Sequence, residues 1–82
     1  MGLEIDVHFN RLGPGGATLV VVAVGREVFG ATTPEPFAAL HTAAREAAEG
    51  LAKCGQRVDA EVIVERGHEE WNARARRSVS GR

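Results

Sequence analysis

The run from Ala17 to Val24, ATLVVVAV, is apolar at every position except Thr18. Side chains alternate across a strand, so a strand made of these residues offers apolar groups to both of its faces. Such a strand belongs in the middle of a sheet, and the flanking sequence supplies its neighbours. Upstream, LEIDVHFN puts Leu3, Ile5, Val7 and Phe9 on one side and Glu4, Asp6, His8 and Asn10 on the other, the pattern of a strand with one wet face. RLGPGG between the two reads as a hairpin connection. It is not a phosphate-binding loop, because no Lys-Ser/Thr follows and the next element is a strand rather than a helix. Downstream, Gly25-Arg26 fits a two-residue turn with glycine supplying the positive φ, and EVFGA returns as a short third strand.

The segment TTPEPFAALHTAAREAAEGLAKCG then reads as a long helix. Thr33 is the expected N-cap and Pro34 the first helical residue, where a missing N–H costs nothing. Phe37, Leu40, Ala44, Ala47, Ala48 and Leu51 recur at helical spacing, and the alanines let the helix sit close on the sheet. Gly55 is the terminator, with Lys53 in the last turn suiting the helix dipole. Gly50 inside the helix costs about 1 kcal/mol relative to alanine, which fits either a close backbone approach at that position or simple tolerance of the glycine.

VDAEVIVE alternates again, with Val58, Ala60, Val62 and Val64 on one side, and predicts a fourth strand that Gly67 ends. HEEWNARARRS follows as a short helix, acids early and arginines late, with Trp71 docking it to the sheet or the first helix. The expected fold is α+β: a three-stranded antiparallel meander, a long helix, a fourth strand in the same sheet and a short C-terminal helix. In this β-β-β-α-β-α order both helices lie on one face, in a single domain over residues 1–78 with a frayed tail at 79–82.

Eighty-two residues suit one domain with a thin core, and 44% hydrophobic against 26% charged residues is ordinary for a globular chain. The net charge of −1 argues against strong non-specific nucleic-acid binding, which depends on neutralising phosphates. Charge is nonetheless uneven: after Trp71 come Arg74, Arg76, Arg77 and Arg82 with no acid. A single cysteine, Cys54, excludes an internal disulfide and a cysteine-based zinc site, and fits a reducing cytoplasm. The valine run is too short to span a bilayer, so no membrane role is expected. MGLEIDVHF lacks the features of a secretory signal, and Asp6 replaces the Ser or Thr a myristoylation motif requires.

No catalytic residue, cofactor or metal is expected. His8, His41 and His68 fall on different elements without ligand spacing. Cys54 at a helix C-terminus meets the negative end of the dipole, the wrong environment for a nucleophile. The carboxylates are a sharper case, since β-β-β-α-β-α is also the opening order of the RNase H architecture, which needs acids converging on metal ions. Asp6, Glu35 or Glu46, and Glu65 are the candidates. DVHFN lacks that family's Asp-Gly-Ser opening, however, and solvated acids are the expected reading.

Residues 17–53 resemble the C-terminal half of the ribosome hibernation-promoting factors, the ribosome-associated translation inhibitors. In VAVGREVFGATTPEPFAALHTAAREAAEGLAK, Glu35 stands for that family's acid, Phe37 for its tyrosine and AAL for its Ala-Ala-Ile, with Leu51 and Lys53 closing the helix. The resemblance implies a ribosome- or RNA-associated regulator of translation. Candidate contacts are Arg45 and Lys53 on the long helix and, from the charge pattern rather than the resemblance, Arg74, Arg76 and Arg77 on the terminal one, which suit RNA phosphates, an acidic partner or simply a solubilising helix end. REAAEGLAKCGQRV is also similar to the Glu-Ala-rich helix of HicB antitoxins, whose partial RNase H fold runs three strands, helix, strand. That similarity implies a protein partner, met by the acidic helix face or by the first strand, whose edge is also available for homodimerisation.

Overall fold

In the computed structural model, residues 4–13 and 15–80 are described, with side chains described through Arg76. The valine-rich strand β2 (Thr18–Val24) lies in the middle of a three-stranded antiparallel sheet, between β1 (Ile5–Arg11) and β3 (Glu27–Thr33). The register pairs Val7 with Val22 and Val22 with Phe29, and Phe9 with Val20 and Val20 with Ala31. The two-residue turn joining β2 to β3 has Gly25 at φ +60° and no positive φ at Arg26, the pattern of a type II′ hairpin.

Two helices cover one face: α1 (Pro36–Lys53), over β2 and β3, and α2 (Ala60–Ser80), along β1. The core between the layers comprises Val7, Phe9, Val20, Val22 and Val24 from the sheet, six residues of α1 and Ile63 of α2. Ala39, Ala43, Ala44 and Ala47 are fully buried, and their small side chains bring α1 down onto the strands. Leu40, Leu51 and Ile63 provide the bulk, each contributing about 1.5–3 kcal/mol by leaving water.

Two details of α1 differ from the sequence expectation. The N-cap is Glu35, not Thr33, and Pro36 rather than Pro34 takes the first helical position. A residue before proline is driven out of the helical region, and Glu35 is extended at φ −99°, ψ 117°; the second proline therefore sets the start. The Thr33 hydroxyl donates to the Glu35 carbonyl across the turn. Phe37, expected within the buried stripe, is 43% exposed and instead faces α2, edge-on to His68 at 5.2 Å and to Trp71 at 5.4 Å.

The larger correction concerns the second half. There is no fourth strand: the described sheet has three, and the order is β-β-β-α-α. VDAEVIVE enters a helix, with the Asp59 carbonyl accepting the N–H groups of Val62 and Ile63 at 3.1 and 3.4 Å. The alternation of valines is incidental, since Val62 is 48% exposed while Ile63 is buried. What repeats is the helical set Ala60, Ile63, Val64, Gly67 and Trp71, all facing inward. The expected tail from residue 79 also falls partly within α2, which continues to Ser80; expectations for Leu3 and for residues 81–82 lie outside the described residues.

Gly67 does not end an element. It is buried in the middle of α2, at the point where the helix crosses α1. A Cβ built there would lie 2.5 and 2.7 Å from the methyl carbons of Leu40 and 3.1 Å from its Cγ. Gly50 plays a milder version of the same part, its missing Cβ leaving room for the Phe29 ring at 2.6 Å. Past the crossing, Trp71 packs edge-to-face on Phe9 of β1 at 5.0 Å, so it docks α2 to the sheet and to Phe37 of α1 together.

Gly67→Ala should therefore invert the usual helix rule. Alanine ordinarily gains about 1 kcal/mol over glycine in a helix interior. Here overpacking against Leu40 should cost about 1–3 kcal/mol net, read as a lower urea midpoint with unchanged slope. Measured in a Leu40→Ala background, the same glycine change should cost less than it does in the parent, because the truncated leucine leaves the space that the new methyl needs.

Candidate interaction surface

The two faces of the sheet are chemically different. Odd-numbered residues of β1 and β3 and even-numbered residues of β2 face the helices; their neighbours face outward. The outward face is built from three cross-strand rows: Asp6–Ala23–Val28, His8–Val21–Gly30 and Asn10–Leu19–Thr32. No element of the described structure covers it. Leu19, Val21 and Ala23 form its apolar centre, Val28 is 67% exposed beside them, and Asp6, His8 and Asn10 make a polar rim. The rows contain no Lys, Arg, Phe, Tyr or Trp.

The sheet's two edges differ as well. β1, expected to be the edge open to a second copy, is closed by α2. Arg66 Nε donates to the Ile5 carbonyl at 3.1 Å, and one Arg74 guanidinium nitrogen donates to the Phe9 carbonyl. These arginines are two helical turns apart, so both reach the same strand edge from one face of α2. An unpaired strand edge invites pairing with another chain, and a covering helix with charged donors is one way of blocking it. Arg66 also meets Glu69 at 3.3 Å, an exposed pair of small energetic weight.

The sequence candidates for nucleic-acid contact do not come together. Arg45 lies on α1 in a groove shared with Glu61 and Glu65 of α2, and Lys53 sits in the last turn of α1. Arg74 is engaged with β1, while Arg76 lies by Asp6, Glu69 and Glu70 beside the same strand. The Arg77 side chain falls outside the described ones. Nor do the carboxylates converge. Asp6 projects from the open face, Glu35 caps α1 on the helix side, and Glu46 and Glu65 are exposed on different helices. Among the described residues no group of three His, Cys, Asp or Glu side chains is placed to hold a metal ion. No helix of the described chain is long and apolar enough to cross a membrane.

Sequence reasoning missed Arg66 altogether, because its role depends on α2 lying along β1. The open face had a visible signal in the two-sided apolar pattern of β2, which requires cover on both faces while both helices were expected on one.

Arg66→Met and Arg74→Met should each lower stability by about 1 kcal/mol, the ordinary worth of one hydrogen bond. The double variant should scatter light on standing where the parent does not, because two β1 carbonyls lose their donors. Urea unfolding and static light scattering at matched concentration check both statements.

Comparison with known proteins gives no match to a family model, to a curated protein or to a solved structure.

Proposed function

We propose that the protein is a non-enzymatic binding domain that regulates by holding a protein partner on its open sheet face. The observation supporting this most directly is the row structure of that face, an apolar strip along Leu19, Val21, Ala23 and Val28 edged by Asp6, His8 and Asn10. An apolar centre with a polar rim is the common anatomy of protein interfaces. Single-stranded nucleic acid is gripped differently, by successive stacking rings and a cationic groove, whereas the rows of this face hold one ring, His8, and no Lys or Arg.

A ribosome- or RNA-bound role, as the resemblance of residues 17–53 implies, would draw on Arg45, Lys53, Arg74 and Arg76. Their dispersal among acids, and the engagement of Arg74 by β1, weigh against a phosphate-binding stripe. The overall charge of −1 points the same way. An exposed free thiol at Cys54 suits a cytoplasmic setting.

The test uses photoreactive residues placed at Val21, at Val28 and, as a control, at Glu49 on the outer side of α1. In host cells, protein adducts should form from positions 21 and 28 and not from 49. Purified protein should bind single- and double-stranded RNA oligomers no more tightly than about 100 μM at roughly 50 mM salt. RNA adducts, or RNA affinity that falls steeply between roughly 50 and 200 mM salt and disappears in Arg45→Ala with Lys53→Ala, would replace this reading with the phosphate-binding one.

A further inference from the structure

We propose that two copies of the chain join through the free edge of β3, antiparallel about Gly30, into one continuous six-stranded sheet. The Ile5 and Phe9 carbonyls face away from β2 because they accept from α2, whereas the Glu4 carbonyl accepts the Gly25 N–H on the β2 side. Both backbone groups of a residue in an antiparallel strand point to the same side, and the side alternates. Carried across the register, this alternation directs the N–H and C=O groups of Val28, Gly30 and Thr32 to the outer edge of β3. No described residue takes them up.

The contrast between the two edges selects the partner. β1 is closed by Arg66 and Arg74, but β3 carries no blocking helix, no proline and no lysine; its one charge is Glu27, at the end. Gly30 is the midpoint of Glu27–Thr33, so a twofold axis there overlaps the whole strand with its copy. Val28 then faces Thr32 of the second copy, a pair of β-branched residues, and Gly30 faces its own mate. The three outward pairs exchange about six backbone hydrogen bonds. Glu27 faces Thr33 rather than another acid, and the adjoining turn brings Arg26 toward Glu35 of the second copy at both ends.

The helices fit the same arrangement. α1 straddles β2 and β3, so adding a strand spacing places the two α1 axes about 10 Å apart, a normal packing distance. The side of α1 turned toward that edge, marked by the contact of Gly50 with Phe29, also carries Thr42, Glu46 and Lys53 at helical spacing, so like charges are not forced together. The joined sheet would also double the open face, with the two apolar strips adjacent and a polar rim on each outer side.

Sedimentation equilibrium of the intact chain tests this. The parent should sediment at about twice its monomer mass of 8.7 kDa. Gly30→Lys should raise the dissociation constant at least about tenfold by setting two ammonium groups opposite each other on the axis. The monomer accommodates that side chain, since a Cβ at Gly30 meets only ordinary contacts at 3.5 and 3.7 Å. Thr32→Pro should do the same by removing an outward N–H, a change an edge strand tolerates. Far-ultraviolet circular dichroism should be unchanged in both variants. A parent that stays monomeric at high concentration, or a dimer indifferent to both changes, overturns the proposal. A dimer that survives them but is dissolved by Val21→Asp is a face-to-face pair, and overturns it too. The protein-binding reading is separable: it fails or stands on the cross-links from position 21, whatever the mass of the parent.

Discussion

The absence of a side chain at Gly67 is what allows α2 to lie where it does. With Leu40 filling the space a Cβ would need, the helices approach closely enough for one to sit on β1 while the other covers β2 and β3. From that crossing the rest follows geometrically. Trp71, one turn further along, falls between Phe9 and Phe37, and Arg66 and Arg74, on the side toward β1, reach its carbonyls. A bulkier residue at the crossing would lift the helix and loosen the core contact, the aromatic wedge and the edge cover together. The small core leaves little reserve against such a loss, since domains of this size are stable by only a few kcal/mol.

The first two-thirds of the fold was legible in the sequence because each segment carried one dominant period. β1 alternated, β2 was apolar on both faces, a two-residue glycine turn joined β2 to β3, and α1 repeated its alanines at helical spacing. VDAEVIVE is ambiguous because over eight residues a run of valines satisfies the strand period, while its helical period shows only when Gly67 and Trp71 are counted as interior positions. Glycine ordinarily marks a break, a preference that tertiary packing overrides here. Asp59 at the cap and Glu61 in the first turn were the helix signals present in the sequence.

The surface was less legible than the fold. Arginines clustered along a chain suggest a phosphate-binding patch, but a helix distributes them around its circumference and the neighbouring elements decide what each one meets. Arg74 meets a backbone carbonyl, Arg45 shares a groove with acids, and Arg76 lies beside an acidic turn. Conversely, the residues that make the open sheet face distinctive carry no chemistry in isolation. Leu19, Val21 and Ala23 read as core, and become informative only because no layer of the described residues is laid over them.

The hydrogen bond from Arg74 to Phe9 joins positions 65 residues apart. During synthesis the chain emerges from its N-terminal side, and domains fold as their residues become available. The meander and α1 can assemble early from nearby contacts, but the cover for the first strand is made among the last residues of the domain. For that interval β1 is an open edge on a growing chain, and Asp6, His8, Asn10 and Arg11 are the polar side chains it exposes, the kind that make an edge strand a poorer template for a neighbouring chain.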